Sequence, residues 1–109
     1  MKILPVGIVA SLCFTLSVAF ADPATATLFA GRCAACHGKD GAGQTPAGQK
    51  LKAADWTKTD KAKSMRDEQM EALIQNGVKE DGKVRMPGFA TLTPEQRKAL
   101  VAHVRSLCP

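Results

Sequence analysis

Of the 109 residues none is tyrosine, one is tryptophan and two are histidine. With so few flat rings there is no series of aromatic platforms on which bases could stack, and no nucleic-acid partner is expected. Charge of one sign is only weakly in excess: 15 Lys and Arg stand against 10 Asp and Glu, a formal +5, which is far from a polycationic tract. Only one long apolar run occurs, Ile3 to Leu16, at the amino terminus. No internal repeat, low-complexity tract or second domain follows it.

That single run reads as an export signal. Lys2 gives a positive start, and Ala19-Phe20-Ala21 offers small residues for cleavage before Asp22. The expected organisation is a cleaved signal over residues 1–21 and one domain over residues 22–109, in the periplasm. A retained membrane helix fits less well, because Pro5, Gly7, Ser11, Thr15 and Ser17 interrupt the stretch. A lipoprotein anchor at Cys13 is disfavoured by Leu12, where a small residue belongs. Without Lys2 the basic residues number 14 against 10 acidic ones, a net +4. A domain this small has a marginal core if built from protein alone.

The most informative residues are Cys33-Ala34-Ala35-Cys36-His37. C-x-x-C-H is the pattern at which haem is attached covalently. Two thiols on one helical turn can each add to a vinyl group, and the imidazole after them can bind iron. A dithiol redox motif would want a preceding strand, whereas Thr27 to Arg32 leads in as a helix. A zinc site would have to recruit His103 and Cys108 from far along the chain, outside the usual ligand spacing. One buried haem c also remedies the small core: at roughly 25 cal/mol per Å², even partial burial of its apolar surface contributes several kcal/mol. The protein without it is expected to fold poorly. Two cysteines so used leave Cys108 unpaired, either a half-buried thiol or the means of joining two otherwise monomeric chains.

The remaining pattern is helical. A first helix from about Ala24 is expected to run into the C-x-x-C-H residues with Leu28 and Phe29 inward, ending at Gly38. Lys39 to Gly48, with four glycines and Pro46, reads as a loop, and a brief turn of helix is possible over Lys50 to Asp55. Ser64 and Asp67 suggest the capped start of a second helix carrying Met70, Leu73 and Ile74 and stopping at Asn76-Gly77. Thr93, Pro94 and Gln96 mark the start of a last helix with Leu100, Val104 and Leu107 on one face and His103 on or beside it. Trp56 is either a core filler or a contact to the haem edge through its ring and N–H.

An iron held by His37 has a second axial position, and its occupant decides between electron transfer and chemistry at the metal. Met86 is the candidate, in Arg85-Met86-Pro87-Gly88-Phe89. Pro87 holds the preceding backbone extended and Gly88 permits a tight turn, so a weakly binding thioether is presented without a flexible arm. Met70 falls at helical spacing with Leu73 and Ile74, as core residues do, and Met65 lies among charges at a helix start. His103 could also take that position, or the iron could stay open.

With these residues in place, the chain resembles a class I c-type cytochrome, a small soluble bacterial monohaem protein. The resemblance rests on Cys33 to Gly38, the Gly-rich segment with Pro46, and Met86-Pro87-Gly88-Phe89 followed by a terminal helix. It implies an all-α fold of short helices wrapped around one covalent haem, with the first and last helices crossing at Phe29. It also implies that the Pro46 carbonyl accepts a hydrogen bond from His37. Thr25, where the family commonly has glycine, and His103, where it commonly has an aromatic residue, are departures.

The function expected is therefore single-electron transfer through haem c with His37 and Met86 as axial ligands, not enzymatic turnover. Lys39, Lys50, Lys52, Lys58, Lys61, Lys63, Lys79 and Lys83 could form a basic rim for acidic redox partners, or serve only solubility. Competing with that function are a haem enzyme or gas or peroxide sensor with a displaceable Met86, and a cytochrome subunit of a larger dehydrogenase or oxidase. No grouping of acid and base residues near Met86 favours the enzyme.

Overall fold

The computed structural model describes residues 22–108 together with Gly7 and Ala10. Apart from those two positions, the expected export signal lies outside the described residues. Among the described residues, six helices and one hairpin follow in the order α1 Pro23–Arg32, α2 Ala34–His37, α3 Pro46–Leu51, α4 Lys61–Ser64, α5 Asp67–Asn76, β1 Val78–Glu80, β2 Lys83–Met86 and α6 Pro94–Leu107. The α-helical expectation holds, with a short hairpin that it did not include.

Helix α6 organises the molecule. Thr93 accepts from the Gln96 N–H at 3.2 Å while the Gln96 side chain accepts from the Thr93 N–H at 2.9 Å, and Pro94 occupies the first turn where no donor is needed. Its inner face carries Leu100, Val101 and Val104, which close a core with Phe29 of α1, Met70 of α5 and Leu92. Truncating a side chain as buried as Leu100, 1% exposed, would cost about 2–5 kcal/mol.

The two departures from the family pattern sit at this packing. Thr25 is buried and its hydroxyl donates to Asp22 Oδ2 at 3.2 Å, so the polar group is satisfied. His103 packs its ring on Phe29 with centroids 4.6 Å apart and planes tilted by 43°, the role of an aromatic residue.

Local boundaries differ from the expectation in three places. The first helix does not run unbroken into the cysteines: the chain turns at Cys33, φ −120° and ψ −36°, and α2 begins afresh. Pro46 opens a helix instead of lying in a loop, because Thr45 caps it by accepting from the Gly48 N–H at 2.9 Å. The start of α5 is marked by Arg66 and Gln69, whose side-chain oxygen accepts from the Arg66 N–H at 2.9 Å. Ser64 instead ends the separate turn α4, donating to the Lys61 carbonyl.

The hairpin pairs Val78 with Met86, Lys79 with Val84 and Glu80 with Lys83. Asp81 and Gly82 turn it with φ of 52° and 72°, the positive values that a tight two-residue connection requires. Its base is fastened to the end of α5. Phe89 N–H donates to the Ile74 carbonyl at 2.8 Å, and Gly77, φ 72°, lies so close to the Met86 carbonyl that a Cβ there would overlap it. Met86 is thus held at the end of a strand.

Candidate functional site

Cys33, Cys36 and His37 occupy one turn of backbone and face one cavity of about 360 Å³. Backbone bonds fix that turn: His37 N–H reaches the Cys33 carbonyl at 2.9 Å, and Gly38 N–H the Ala34 carbonyl at 2.8 Å. Gly38, φ 76°, ends the turn. The His37 carbonyl then accepts from the Gly43 N–H at 2.8 Å.

Two residues overlooked in the sequence brace this turn from outside. The Thr45 hydroxyl lies 2.6 Å from the Ala35 carbonyl and 3.1 Å from that of Cys36, so one side chain caps α3 and ties it to α2. Gly48 presses so closely on the Cys36 carbonyl that a Cβ would overlap it, and it would meet the Gly43 carbonyl at 2.6 Å. The Thr-Pro pair at the head of a helix was the sequence signal for the first. The second leaves no local signal, because the approach is made by residues twelve positions apart.

The cavity walls are mainly apolar and come from α1, α5, α6, the hairpin and the segment after it: Phe29, Leu73, Ile74, Leu100, Val78 and Phe89 are among them. Burial lowers the pKa of His37 from its ordinary 6.5, which favours the neutral imidazole, the form that binds metal. Burial also raises the Cys33 thiol above its ordinary 9.0, against the lowering by Arg32 and with a further rise from Cys36. Cys33, Cys36 and Cys108 form no disulfide among the described residues. Cys108 is half-buried, its sulfur 3.6 Å from the Val104 carbonyl.

Three methionines line the cavity, Met65, Met70 and Met86. Met70 is buried in the core and Met65 packs against it. Met86 lines the cavity and belongs to neither group. His103 is committed to Phe29 and is absent from the cavity lining.

The remaining two pocket residues fare differently. Trp56 lines the cavity and stacks on His37, centroids 4.3 Å apart and planes 16° from parallel. Pro46 does not line it; the residue is exposed at the start of α3. The hydrogen bond implied from His37 to its carbonyl is not formed, since His37 Nδ1 is buried without a partner among the described residues. Lys52 and Lys61 reach the cavity wall, and all eight lysines of the expected rim are exposed.

A covalent haem c fits this donor set. Two thiols and an imidazole on one turn, a thioether on another element and apolar walls between them are the groups that such a cofactor takes up.

Comparison with known proteins agrees. The family model described as Cytochrome c matches residues 24–108. No curated protein matches the chain. Among solved structures, one titled KustC0563 c-type cytochrome is 32% identical with a TM-score of 0.66, covering 78% of this chain and 98% of that one. A single-residue mutant of the same cytochrome is 34% identical with a TM-score of 0.63, covering 76% and 96%.

Proposed function

We propose that this chain, which belongs to the cytochrome c family, shuttles single electrons in the periplasm with His37 and Met86 as the two axial ligands of its haem iron. Haem-based electron transfer and a covalently bound haem c come with the family. When bound, haem c supplies a one-electron ferric/ferrous couple. The observation that carries the ligand assignment is the placing of Met86 alone, among the three methionines of the cavity, outside the packed core.

Each residue has a separate task. Cys33 and Cys36 would hold the haem through thioethers, so that it is not lost at either oxidation state. His37, whose neutral form burial favours, would give the iron one nitrogen. Met86 would give a thioether from the end of β2, held in place by the packing of Gly77 and Gly88. A thioether is a weak donor, and this ligand pair raises the potential relative to two histidines. The apolar side chains of α5, α6 and the hairpin would keep water from the iron. Lys52 and Lys61 at the cavity wall, with the six other exposed lysines, suit brief docking of acidic redox proteins, sensitive to salt.

Replacing Met86 with alanine tests the assignment. The variant is expected to retain covalent haem, to show a lower reduction potential, and to bind carbon monoxide when reduced. A potential and a carbon monoxide response identical to the unmodified protein would refute Met86 as ligand.

A further inference from the structure

A single turn of helix does not hold its own position, because so short a segment gains too few hydrogen bonds to offset its ordering. Helix α4 is such an element, yet Lys61, Ala62 and the following Met65 form part of the cavity wall. Packing of Ala62 and Met65 draws the segment inward, but apolar attraction is non-directional and does not fix where the backbone stands. The directional bonds come from Arg105 of α6. Its guanidinium donates to the Ala62 carbonyl at 2.9 Å, to the Met65 carbonyl at 2.7 Å, and to Asp67 Oδ1 at 2.9 and 2.6 Å. We propose that Arg105 is a positioning residue that holds Lys61–Met65 as a wall of the haem cavity and thereby raises the reduction potential.

Both carbonyls lie toward the C-terminal end of α4, where helix carbonyls have no partner of their own. A planar guanidinium presents its N–H groups in fixed directions, so one side chain can meet two carbonyls and a carboxylate at once. Among the described residues, no other side-chain hydrogen bond joins residues 61–65 to another helix; the Thr59 and Ser64 hydroxyls bond only to Lys61. Arg105 does not line the cavity, so it braces the wall from outside and leaves the space within to the haem. The consequence for the iron is electrostatic. Ferric haem carries one more positive charge than ferrous, and water stabilises that charge better than an apolar wall does. A wall held closed therefore favours the ferrous form, which is a higher potential.

The inference rests on a haem in this cavity, and its test keeps the two apart. Redox titration and amide hydrogen exchange of the haem-loaded protein read the effect. Arg105→Lys keeps the charge but gives up the fork, and Arg105→Gln removes both. In each the potential is expected to fall. The Ser64 and Met65 amides, which donate to the Asp60 and Lys61 carbonyls at 3.0 and 3.2 Å, are expected to lose protection. The Gly77 amide, bonded to the Leu73 carbonyl at the far end of α5, should keep its protection. Lys98→Gln removes an equal charge from an exposed site on the same helix; it is expected to leave these amides unchanged and to lower the potential less. An unchanged potential in Arg105→Lys, a fall in Lys98→Gln as large as in Arg105→Gln, or a loss of protection shared equally by Gly77 overturns the positioning role. An unmodified protein that purifies without c-type haem bands would overturn the haem reading itself, and this inference with it.

Discussion

Adding one methyl group to Gly48 should unsettle the haem-attachment turn, while adding one to Gly31 should strengthen the protein. Gly48 is buried in α3, and a Cβ there would overlap the Cys36 carbonyl, lie 2.6 Å from the Gly43 carbonyl and 2.9 Å from the Thr45 hydroxyl. Two of these neighbours are backbone, so no rotamer change relieves the contact and α2 must move. Overpacking of this kind costs about 1–3 kcal/mol, and the upper end is expected because the displaced segment carries Cys36 and His37. Gly31 lies in α1 with nothing within 4 Å of its virtual Cβ, and alanine there should stabilise by about 0.4–1 kcal/mol through a less flexible unfolded chain. For a domain of this size each kcal/mol moves the melting temperature by roughly 4–8 °C. Thermal unfolding of haem-loaded Gly48→Ala and Gly31→Ala should therefore shift in opposite directions, and Gly48→Ala should also yield less haem-loaded protein. Equal shifts, or a Gly48→Ala protein as stable as the unmodified one, would refute the tight packing of α3 on α2.

Further expectations concern separate parts of the molecule. Arg105 donates to the Ala62 carbonyl at 2.9 Å, to the Met65 carbonyl at 2.7 Å and to Asp67 at 2.6 Å. Arg105→Gln should cost about 1–3 kcal/mol by denaturant unfolding, since part-buried carbonyls lose a charged donor. Asp67→Asn, at an exposed pair, should cost no more than about 1 kcal/mol, and equal costs would show that the carbonyl bonds contribute nothing. The Thr57 hydroxyl holds the Asp55 carboxyl below its ordinary 3.8. Because the folded pKa is the lower one, this stabilisation is complete above about pH 4 and disappears as pH falls through the folded value. Thr57→Val should return Asp55 toward 3.8 in an NMR titration, and an unmoved midpoint would refute the role of the hydroxyl. Cys36→Ser should impair haem attachment and the yield of folded protein. Normal maturation with both vinyl groups bonded would contradict the reading of the C-x-x-C-H residues.

Features written in neighbouring residues were legible, and those made by distant approach were not. The last helix starts as its Thr-Pro-x-Gln signature implies, and Gly77 stops α5 where Asn-Gly implied, since both devices use atoms within four residues. Cys33, Cys36 and His37 were legible as chemistry, and Met86 as a stiffened thioether next to proline. The hairpin was overlooked although Asp81-Gly82 between Val78 and Val84 is a turn signal; its strands are short and mostly charged, without clear alternation. Ser64 looked like a cap, but Arg66 and Gln69 took that place, because backbone capping by a glutamine needs no hydroxyl partner. The stacking of Trp56 on His37 joins residues far apart in sequence, and the sequence alone offered the indole as a core filler or a contact to the haem edge. Pro46 illustrates the reverse: the resemblance implied its acceptor role, whereas the structure starts a helix there and shows His37 Nδ1 without a partner among the described residues.

The most direct test of the account is the visible absorption spectrum of the dithionite-reduced protein, recorded before and after carbon monoxide. Sharp low-spin c-type bands unchanged by carbon monoxide are predicted, as expected for an iron closed on both sides by His37 and Met86. Bands that shift on adding the gas would contradict the electron-carrier account and indicate an accessible iron.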